Sequence, residues 1–399
     1  MEIVFIGGFA PKLRKKEFLN NSKGVYIFNS DNFLYPFIDG ISNINECKLH
    51  LLSVPFLGNY PFSYKKIYQK GGPFIHENTS LNYCIGSFRI PFVGLLSRSF
   101  KISSYLKTNF SNEKDVWIIV SSIYTPILKG VYEYKKYNKR SKVCLIVPDL
   151  PNLVSSSNNP IYKFLKKIEN NVLNLYYSCV DKYVLLTDEM YNVLPIGNKP
   201  WIRIEGIYDS NNLIKKDIRK DENNTILYAG TLDKRYGIMN LLNAFNQIKG
   251  ADYRLWICGG GNMKNEIEKR ALIDPRIKYL GQKPSKEVYT LQKMVKVLVN
   301  PRTSFGEYTK YSFPSKTMEY LSSGTPCIMN KLPGVPQEYL KHIYIPKNES
   351  VIELKNKIIE VCNKDVREIE CKTKLASTFI LENKNCNVVA KKLIDFLFD

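Results

Sequence analysis

Short apolar runs that alternate with helical stretches are the feature that most restricts the fold of this chain. Each run ends in glycines or in a polar turn. Strands that are apolar on both faces are buried on both faces, as in a parallel sheet covered by helices. The runs are Val116–Ser121, Val143–Val147, Lys182–Leu186, Ile226–Ala229, Leu255–Cys258, Ile277–Leu280 and Val297–Asn300. The sequence therefore predicts an α/β protein with doubly wound parallel sheets.

Helical periodicity fills the intervals between these runs. The predicted helices include Asp31–Ile41, Ile127–Lys139, Pro160–Tyr176, Val351–Cys362 and Val388–Phe398. The pattern restarts after a last strand predicted at Ile202–Ile207 and a polar linker at Tyr208–Asn224. A chain of 399 residues is also too long for one ordinary core. We predict a first Rossmann-like domain over residues 1–207, a second over 208–380, and a C-terminal helix within 381–399 that packs back on the first domain.

The nine cysteines are scattered, and none occurs as CxxC, so neither a disulfide framework nor a zinc site is indicated. A strand-like segment starts at Glu2, which leaves no room for a signal peptide. No apolar run approaches the roughly 18 to 20 residues of a membrane span. These features predict a cytoplasmic protein with reduced thiols.

A net charge of +21 is consistent with anionic partners such as nucleic acid, lipid headgroups or diphosphate substrates. Residues 1–180 contain about twice as many Lys and Arg as Asp and Glu. Two segments, 59–70 and 88–107, interleave these cations with aromatic and aliphatic residues. Such segments suit an anionic membrane surface, and Lys65, Lys66, Arg98 and Lys101 are the charges expected to bind it. Alternatively, the lysines are a compositional bias and cover the protein's own core.

The stretch from Tyr311 to Ile328 reads as a loop, a helix and a strand. Ser312 or Ser315 can cap the helix, Pro314 suits its first turn, and Gly324 ends it. The helix start and Lys316 would face an anion, and Glu319 could accept hydrogen bonds from a vicinal diol. The alternative is an ordinary capped helix without a ligand.

Two further candidates lie in the first half. Gly8 follows the first apolar run, where a glycine turn allows a ligand to approach the backbone. Asp149 comes just past the strand at Val143–Val147, at the strand end where ligands of parallel sheets bind.

At these positions the chain resembles the retaining glycosyltransferases of family 4, which have the GT-B fold of two facing Rossmann-like domains with a cleft between them. The resemblance covers residues 226–346 most closely. It rests on Tyr228–Leu232 with Tyr236–Ile238, on Ile257–Gly261, on Tyr279–Gly281 and on Ser312–Lys316 with Glu319–Pro326. The first half is similar, more loosely, to bacterial members that build capsule, O-antigen or exopolysaccharide.

The resemblance implies roles for particular residues. Glu319 matches the second glutamate of the family's EX7E motif, which binds the ribose, while Tyr311 replaces the first glutamate. Thr231 and Tyr236 stand where the family commonly has an arginine and a lysine, so Lys234, Arg235 and Lys316 are the cations left to bind the diphosphate. The implied donor-binding residues are Gly8, Gly230, Thr231, Lys234, Arg235, Gly260, Tyr311, Ser312, Phe313, Pro314, Ser315 and Glu319. The catalytic candidates are Lys316 and Glu319, with Asp149 as the candidate for orienting acceptor or sugar hydroxyls; the alternative for Asp149 is a plain turn role.

The resemblance further implies sugar transfer with retention from a nucleoside diphosphate sugar, with UDP favoured over GDP. The acceptor would bind the first domain and would be a polyprenyl-diphosphate-linked saccharide at the inner face of the cytoplasmic membrane. No metal or other cofactor is expected, since the sequence has no DxD and no histidine cluster.

Two alternatives remain from the sequence. The substitutions at Thr231, Tyr236 and Tyr311 would also suit a noncatalytic subunit with this fold. A nucleic-acid-binding protein would explain the charge, although no recognisable reading motif organises the basic residues, and we expect no nucleic-acid partner.

Overall fold

Two mainly parallel sheets, one in each half of the chain, organise the structure. The computed structural model describes residues 1–23, 29–111, 115–150, 171–209 and 218–399. They form two compact units, the first made of Met1–Ile207 with Cys386–Asp399 and the second of Tyr208–Asn385. The predicted α/β class with parallel, Rossmann-like sheets is confirmed.

The first unit contains a large sheet with its most apolar strand near the centre. The strands of the unit are β1 (Glu2–Gly7), β2 (Lys48–Ser53), β3 (Tyr68–Gln69), β4 (Gly72–Pro73), β5 (Asn82–Cys84), β6 (Ser87–Phe88), β7 (Trp117–Val120), β8 (Lys142–Val147), β9 (Lys182–Leu185) and β10 (Trp201–Arg203). The sheet order is β10-β9-β8-β7-β1-β2-β5-β4. Only its edge pair, β4 with β5, is antiparallel among the described strands of this sheet. Because β1 is covered on both faces, its residues from Ile3 onward are buried.

Four α-helices among the described residues of the first unit precede residue 150. They are α1 (Lys15–Asn21), α2 (Asn29–Ser42), α3 (Val93–Asn109) and α4 (Thr125–Tyr137). Two of them, α2 and α4, lie where the periodicity predicted apolar stripes. Leu34, Phe37, Ile38 and Ile41 of α2 are buried in the core of the unit. Residues 171–177 are helical, but the remainder of the helix predicted from Pro160 lies outside the described residues.

The described residues of the second unit form five parallel strands. They are β11 (Asn224–Ala229), β12 (Tyr253–Cys258), β13 (Ile277–Gly281), β14 (Val297–Asn300) and β15 (Cys327–Met329). Their order in the sheet is β13-β12-β11-β14-β15. The helices of this unit are α5 (Ile238–Asn246), α6 (Lys264–Ile273), α7 (Ser285–Met294), α8 (Lys316–Ser322), α9 (Gln337–Leu340), α10 (Val351–Cys362) and α11 (Val366–Asn383).

The last helix, α12 (Cys386–Phe398), is part of the first unit. Its residues Val389, Leu393 and Leu397 are buried in the same core as β1. Gly40 of α2 allows the close crossing, because a Cβ there would lie 2.3 Å from the Cys386 carbonyl oxygen.

Several boundaries differ from the sequence prediction. The strand predicted at Ile202–Ile207 is short and occupies Trp201–Arg203. Of the predicted linker Tyr208–Asn224, residues 210–217 lie outside the described residues, and Asn224 already begins β11. Helices α1, α7, α9 and α11 were not predicted, because short helices and surface helices with few buried residues carry a weak apolar pattern.

Candidate active site

The C-terminal edge of the second sheet carries most of the residues that the sequence singles out. Strand β11 runs into Gly230, β12 into Gly259 and β14 into Pro301. In parallel sheets this edge is where ligands bind. The loops that leave it therefore define the candidate site within the second unit.

The loops after β11 and β12 pack directly against each other. The Gly230 amide donates to the Cys258 carbonyl at 3.0 Å, and the Leu232 amide donates to the Gly260 carbonyl at 2.9 Å. A Cβ on Gly259 would lie 1.8 Å from the Gly230 carbonyl oxygen. Glycine is thus required at position 259 for contact between the two loops. The backbone of these loops is half-buried at Gly230 and Gly260, at the same edge of the sheet.

Helix α8 is fixed to the same edge by one buried tyrosine. The Tyr320 hydroxyl accepts from the Ala229 amide at 2.8 Å and donates to the Ala229 carbonyl at 3.1 Å. Tyr320 is 1% exposed. These two bonds fix the helix that carries Lys316 and Glu319 beside the end of β11.

The start of α8 differs from the prediction. The helix begins at Lys316, so Pro314 precedes the N-cap and does not occupy the first turn. Ser315 is the N-cap but makes no capping hydrogen bond, and the Ser312 hydroxyl instead donates to the Tyr308 carbonyl at 2.8 Å. Gly324 adopts a φ of 77° directly after the helix, as its predicted role in ending the helix requires.

Glu319 is half-buried and already has polar partners. Its Oε2 atom accepts from Lys316 Nζ at 2.7 Å and from Gln292 Nε2 at 3.4 Å. The Glu319 side chain is 22% exposed, whereas Gln292 on α7 is fully buried. A carboxylate held in this way is oriented and can accept further hydrogen bonds through its other oxygen.

The two cations expected after β11 differ in their environment. Arg235 donates Nε and Nη2 to the two carboxylate oxygens of Asp233 at 3.0 and 3.1 Å. The Arg235 guanidinium holds the pKa of the Asp233 carboxyl below its usual value. Lys234 is exposed. The charge of Arg235 is therefore neutralised locally, which the sequence did not predict.

Arg302, which the sequence analysis did not single out, lies two residues beyond β14. Its guanidinium carbon is 5.4 Å from the Tyr236 ring centroid and 4.7 Å from that of Tyr308. Its Nη2 donates to Ser312 Oγ at 2.6 Å. Its position immediately after an apolar strand is the one sequence signal that could have identified it.

The remaining donor-side residues are placed around these groups. Thr231 and Ser315 are exposed, and Tyr311 and Pro314 are half-buried. Phe313 is 8% exposed and packs on Tyr339, with 5.1 Å between ring centroids. Its side chain belongs to the core, which leaves its backbone for a ligand.

Gly8 and Asp149 lie in the first unit, at the corresponding edge of the first sheet. Gly8 follows β1 and Asp149 follows β8. A Cβ on Gly8 would lie 2.1 Å from the ring of Phe56, so this glycine accommodates an aromatic side chain.

The basic and aromatic segments of the first unit divide into buried arginines and exposed apolar side chains. Arg89 is 1% and Arg98 6% exposed, and both donate to Ser87 Oγ. The prediction that Arg98 presents its charge to a membrane is therefore wrong, because its guanidinium is hydrogen-bonded inside the unit. Phe92, Leu96 and Phe100 are instead exposed along one side of α3.

No group of three or more His, Cys, Asp or Glu in the described ranges could hold a metal ion. No helix of the same ranges is long and apolar enough to cross a bilayer. Independence from metals stays a prediction.

Comparison with known proteins identifies a matching family model for the second half of the chain. Residues 209–377 match the family model described as glycosyl transferases group 1. No curated protein matches the sequence significantly. The match covers the whole parallel sheet of the second unit, including the loops described above.

Solved structures resemble the entire chain. Sucrose-phosphate synthase from Thermosynechococcus elongatus is 11% identical with a TM-score of 0.66, over 100% of this chain and 98% of that one. Anabaena HepE in complex with UDP is 13% identical, with a TM-score of 0.64 over 100% and 99%. The lipopolysaccharide outer core galactosyltransferase WaaB is 14% identical, with a TM-score of 0.60 over 100% and 99%. At such low identity these likenesses establish the GT-B fold.

Proposed function

We propose that this chain, a hexosyltransferase-type glycosyltransferase of the GT-B fold, transfers a sugar with retention from a UDP-sugar to a polyprenyl-diphosphate-linked saccharide. This places it in family 4 and in the synthesis of a cell-surface polysaccharide such as capsule, O-antigen or exopolysaccharide. The group 1 domain at 209–377 provides the premise that the donor is a nucleotide sugar.

One observation carries the proposal. Glu319 is anchored by Lys316 and Gln292 on a helix that Tyr320 bonds to the end of β11. The half-buried glycine loops at Gly230 and Gly260 leave the same edge of the sheet. A fixed carboxylate at the same sheet edge as two half-buried glycine loops suits a ribose diol joined to a diphosphate.

UDP is proposed as the nucleotide because of a structural likeness. HepE, which has the same fold, is in complex with UDP. Nothing in the chemistry of Glu319 distinguishes one base from another, since a ribose carries the same hydroxyls in UDP and GDP. The choice of UDP therefore rests on that likeness and is tested with both nucleotides.

In the proposed reaction, the bond from the anomeric carbon to the β-phosphate oxygen breaks and the bond to the acceptor oxygen forms on the same face. The acceptor proton passes to the departing diphosphate, so no side-chain base is required. The residues of the second unit bind and stabilise the diphosphate as its charge develops. Asp149 of the first unit is proposed to orient hydroxyl groups of the acceptor or the sugar.

The acceptor would be reached at the inner face of the cytoplasmic membrane, to which the chain binds peripherally. The exposed stripe on α3, Phe92, Leu96 and Phe100, supports this proposal. Their exposed fractions are 68%, 59% and 75%. Lys107, on the same helix, and Lys65 and Lys66 elsewhere in the first unit are exposed as well, so exposed cations accompany exposed apolar groups in this unit.

Release of nucleoside diphosphate from a panel of UDP- and GDP-sugars tests the function. We expect turnover by the wild type and a loss of about 100-fold in Glu319→Ala, because charged hydrogen bonds to the donor are lost. Glu360→Ala is the matched control, since Glu360 forms the same type of pair, three residues from Lys357 at 2.6 Å, on α10. Full turnover by Glu319→Ala would contradict the assignment. Nucleotide binding without turnover, with or without acceptor lipid, would favour the noncatalytic alternative.

A further inference from the structure

Arg302 is a buried cation without a counterion. It is 6% exposed, and within the described ranges no Asp or Glu forms an ion pair with it. Its Nε is buried and has no hydrogen-bond partner among the described residues. Burying a charge is costly unless an opposite charge or several hydrogen bonds compensate it. The free protein therefore holds Arg302 in a state that an anion would stabilise.

The surroundings of Arg302 fix its guanidinium in one place. The rings of Tyr236 and Tyr308 lie within 5.4 and 4.7 Å of it, and Ser312 Oγ accepts from Nη2 at 2.6 Å. The Tyr308 hydroxyl donates to the Arg235 carbonyl at 2.8 Å, which joins its loop to the loop after β11. Removal from water lowers the pKa of the guanidinium. Arginine nevertheless stays protonated in proteins, so the charge persists.

A close backbone contact brings Arg302 to the loop after β11. Gly237 adopts a φ of 76°, and a Cβ there would lie 2.0 Å from the Pro301 carbonyl oxygen. The residue before Arg302 is therefore packed against the end of that loop. Tyr236, Tyr308 and Ser312 are half-buried, so the groups around the guanidinium are partly open to solvent.

The other candidate cations of the site differ from Arg302. Lys316 is paired with Glu319, and Arg235 with Asp233. Lys234 is exposed, where solvent weakens its interaction with an anion. Arg302 combines burial, a fixed orientation and an unpartnered donor.

We propose that Arg302 binds the diphosphate of the nucleotide-sugar donor and stabilises the charge of the leaving group. This inference rests on the proposed function, because it takes the donor to be a nucleoside diphosphate sugar. The planar guanidinium can donate two parallel hydrogen bonds to phosphate oxygens, and Tyr236, Tyr308 and Ser312 act as positioning residues for it. A bound diphosphate would supply the missing counterion.

Titration of UDP, GDP and uridine against three proteins tests the proposal: the wild type, Arg302→Gln and Arg302→Lys. We expect Arg302→Gln to bind UDP about 10- to 100-fold more weakly, the usual range for hydrogen bonds to charged groups. Arg302→Lys should fall between the other two proteins, because lysine keeps the charge and loses the planar fork. Uridine, which has no phosphate, should bind all three proteins equally.

Arg276→Gln is the matched control. Arg276 also packs over an aromatic ring, 4.9 Å from Phe245, and pairs with Asp274 at 2.7 Å, but it precedes β13 at the opposite edge of the sheet. This variant should bind UDP like the wild type.

The outcomes separate the two hypotheses. Wild-type affinity for UDP in both Arg302 variants would overturn the role of Arg302 while the proposed function stood. An equal loss of UDP and uridine binding in Arg302→Gln would also overturn it, since that pattern marks a purely structural residue. If Arg302→Gln does not fold, the test relies on Arg302→Lys. Wild-type affinity of Arg302→Lys for UDP would then overturn the proposal. A wild type that binds neither UDP nor GDP would contradict the proposed function itself.

Discussion

At the scale of single residues, the basic side chains look equivalent in the sequence but differ in the groups that bind them. Arg235 is bound by Asp233, Lys316 by Glu319, and Arg98 by neutral groups inside the first unit. The sequence indicated Glu319 and the glycine loops because they form local motifs with regular spacing. The sequence offered only the position of Arg302 after an apolar strand, because its partners Tyr236 and Tyr308 come together only through tertiary packing.

The close contact between Gly259 and the Gly230 carbonyl leads to a prediction about stability. Gly259 adopts a φ of 144°, and a Cβ there would lie 1.8 Å from the Gly230 carbonyl oxygen. We expect Gly259→Ala to push the two loops apart and to lower the free energy of unfolding by more than about 2 kcal/mol. Urea unfolding of the full chain measures the change.

Gly281 provides the control for this substitution. Its φ is 72°, but no atom of the described residues lies within 4 Å of the position of a Cβ. Gly281→Ala should therefore cost only the left-handed strain of about 1 to 2 kcal/mol. Equal costs in the two variants would contradict the claim that the loop contact requires Gly259.

At the scale of secondary structure, the alternation of strands and helices was predictable because buried strands and amphipathic helices have distinct periodicities. Strand β14 was predicted at its observed bounds, and β11 and β12 within a few residues. Helix α11 escaped prediction because it buries only Thr373, Ala376 and Ile380 over its 18 residues. Of the two predicted caps of α8, Ser315 is at the N-cap position, whereas Ser312 bonds to the preceding turn and Pro314 lies before the helix.

Helix α3 carries the prediction about membranes. Replacing Phe92, Leu96 and Phe100 together by serine should weaken binding to vesicles with anionic lipid at least about tenfold, because buried apolar area and surface charge both contribute. Vesicle sedimentation over a range of salt concentrations measures both contributions. The control replaces Leu272 and Ile273, which are 88% and 80% exposed in the second unit, by serine.

An equal loss of vesicle binding in the Leu272 and Ile273 variant would mean that exposed apolar residues bind lipid wherever they lie on the protein. Unchanged binding in the α3 variant would remove the helix from the membrane contact. Arg98→Gln, by contrast, should affect stability more than vesicle binding, since Arg98 is buried.

At the scale of the whole molecule, the chain passes twice between its two units. The crossings lie together, because the Tyr208 amide donates to the Lys384 carbonyl at 2.7 Å and Tyr208 forms a β-bridge with Asn385. Helix α12 then returns to the core of the first unit. Residues 209–377, which match the group 1 glycosyltransferase model, thus fall within the second unit, and the proposed nucleotide site can be tested by binding alone.

The most direct test of the central claim compares UDP with 2′,3′-dideoxy-UDP in titrations of wild type and Glu319→Gln. If Glu319 binds the ribose diol, Glu319→Gln should weaken UDP binding about 10-fold or more, while the dideoxy analogue binds both proteins equally. Glu360→Gln serves as the control and should bind both ligands like the wild type. Equal affinity of wild type and Glu319→Gln for UDP, or an equal loss for both ligands, would contradict the account.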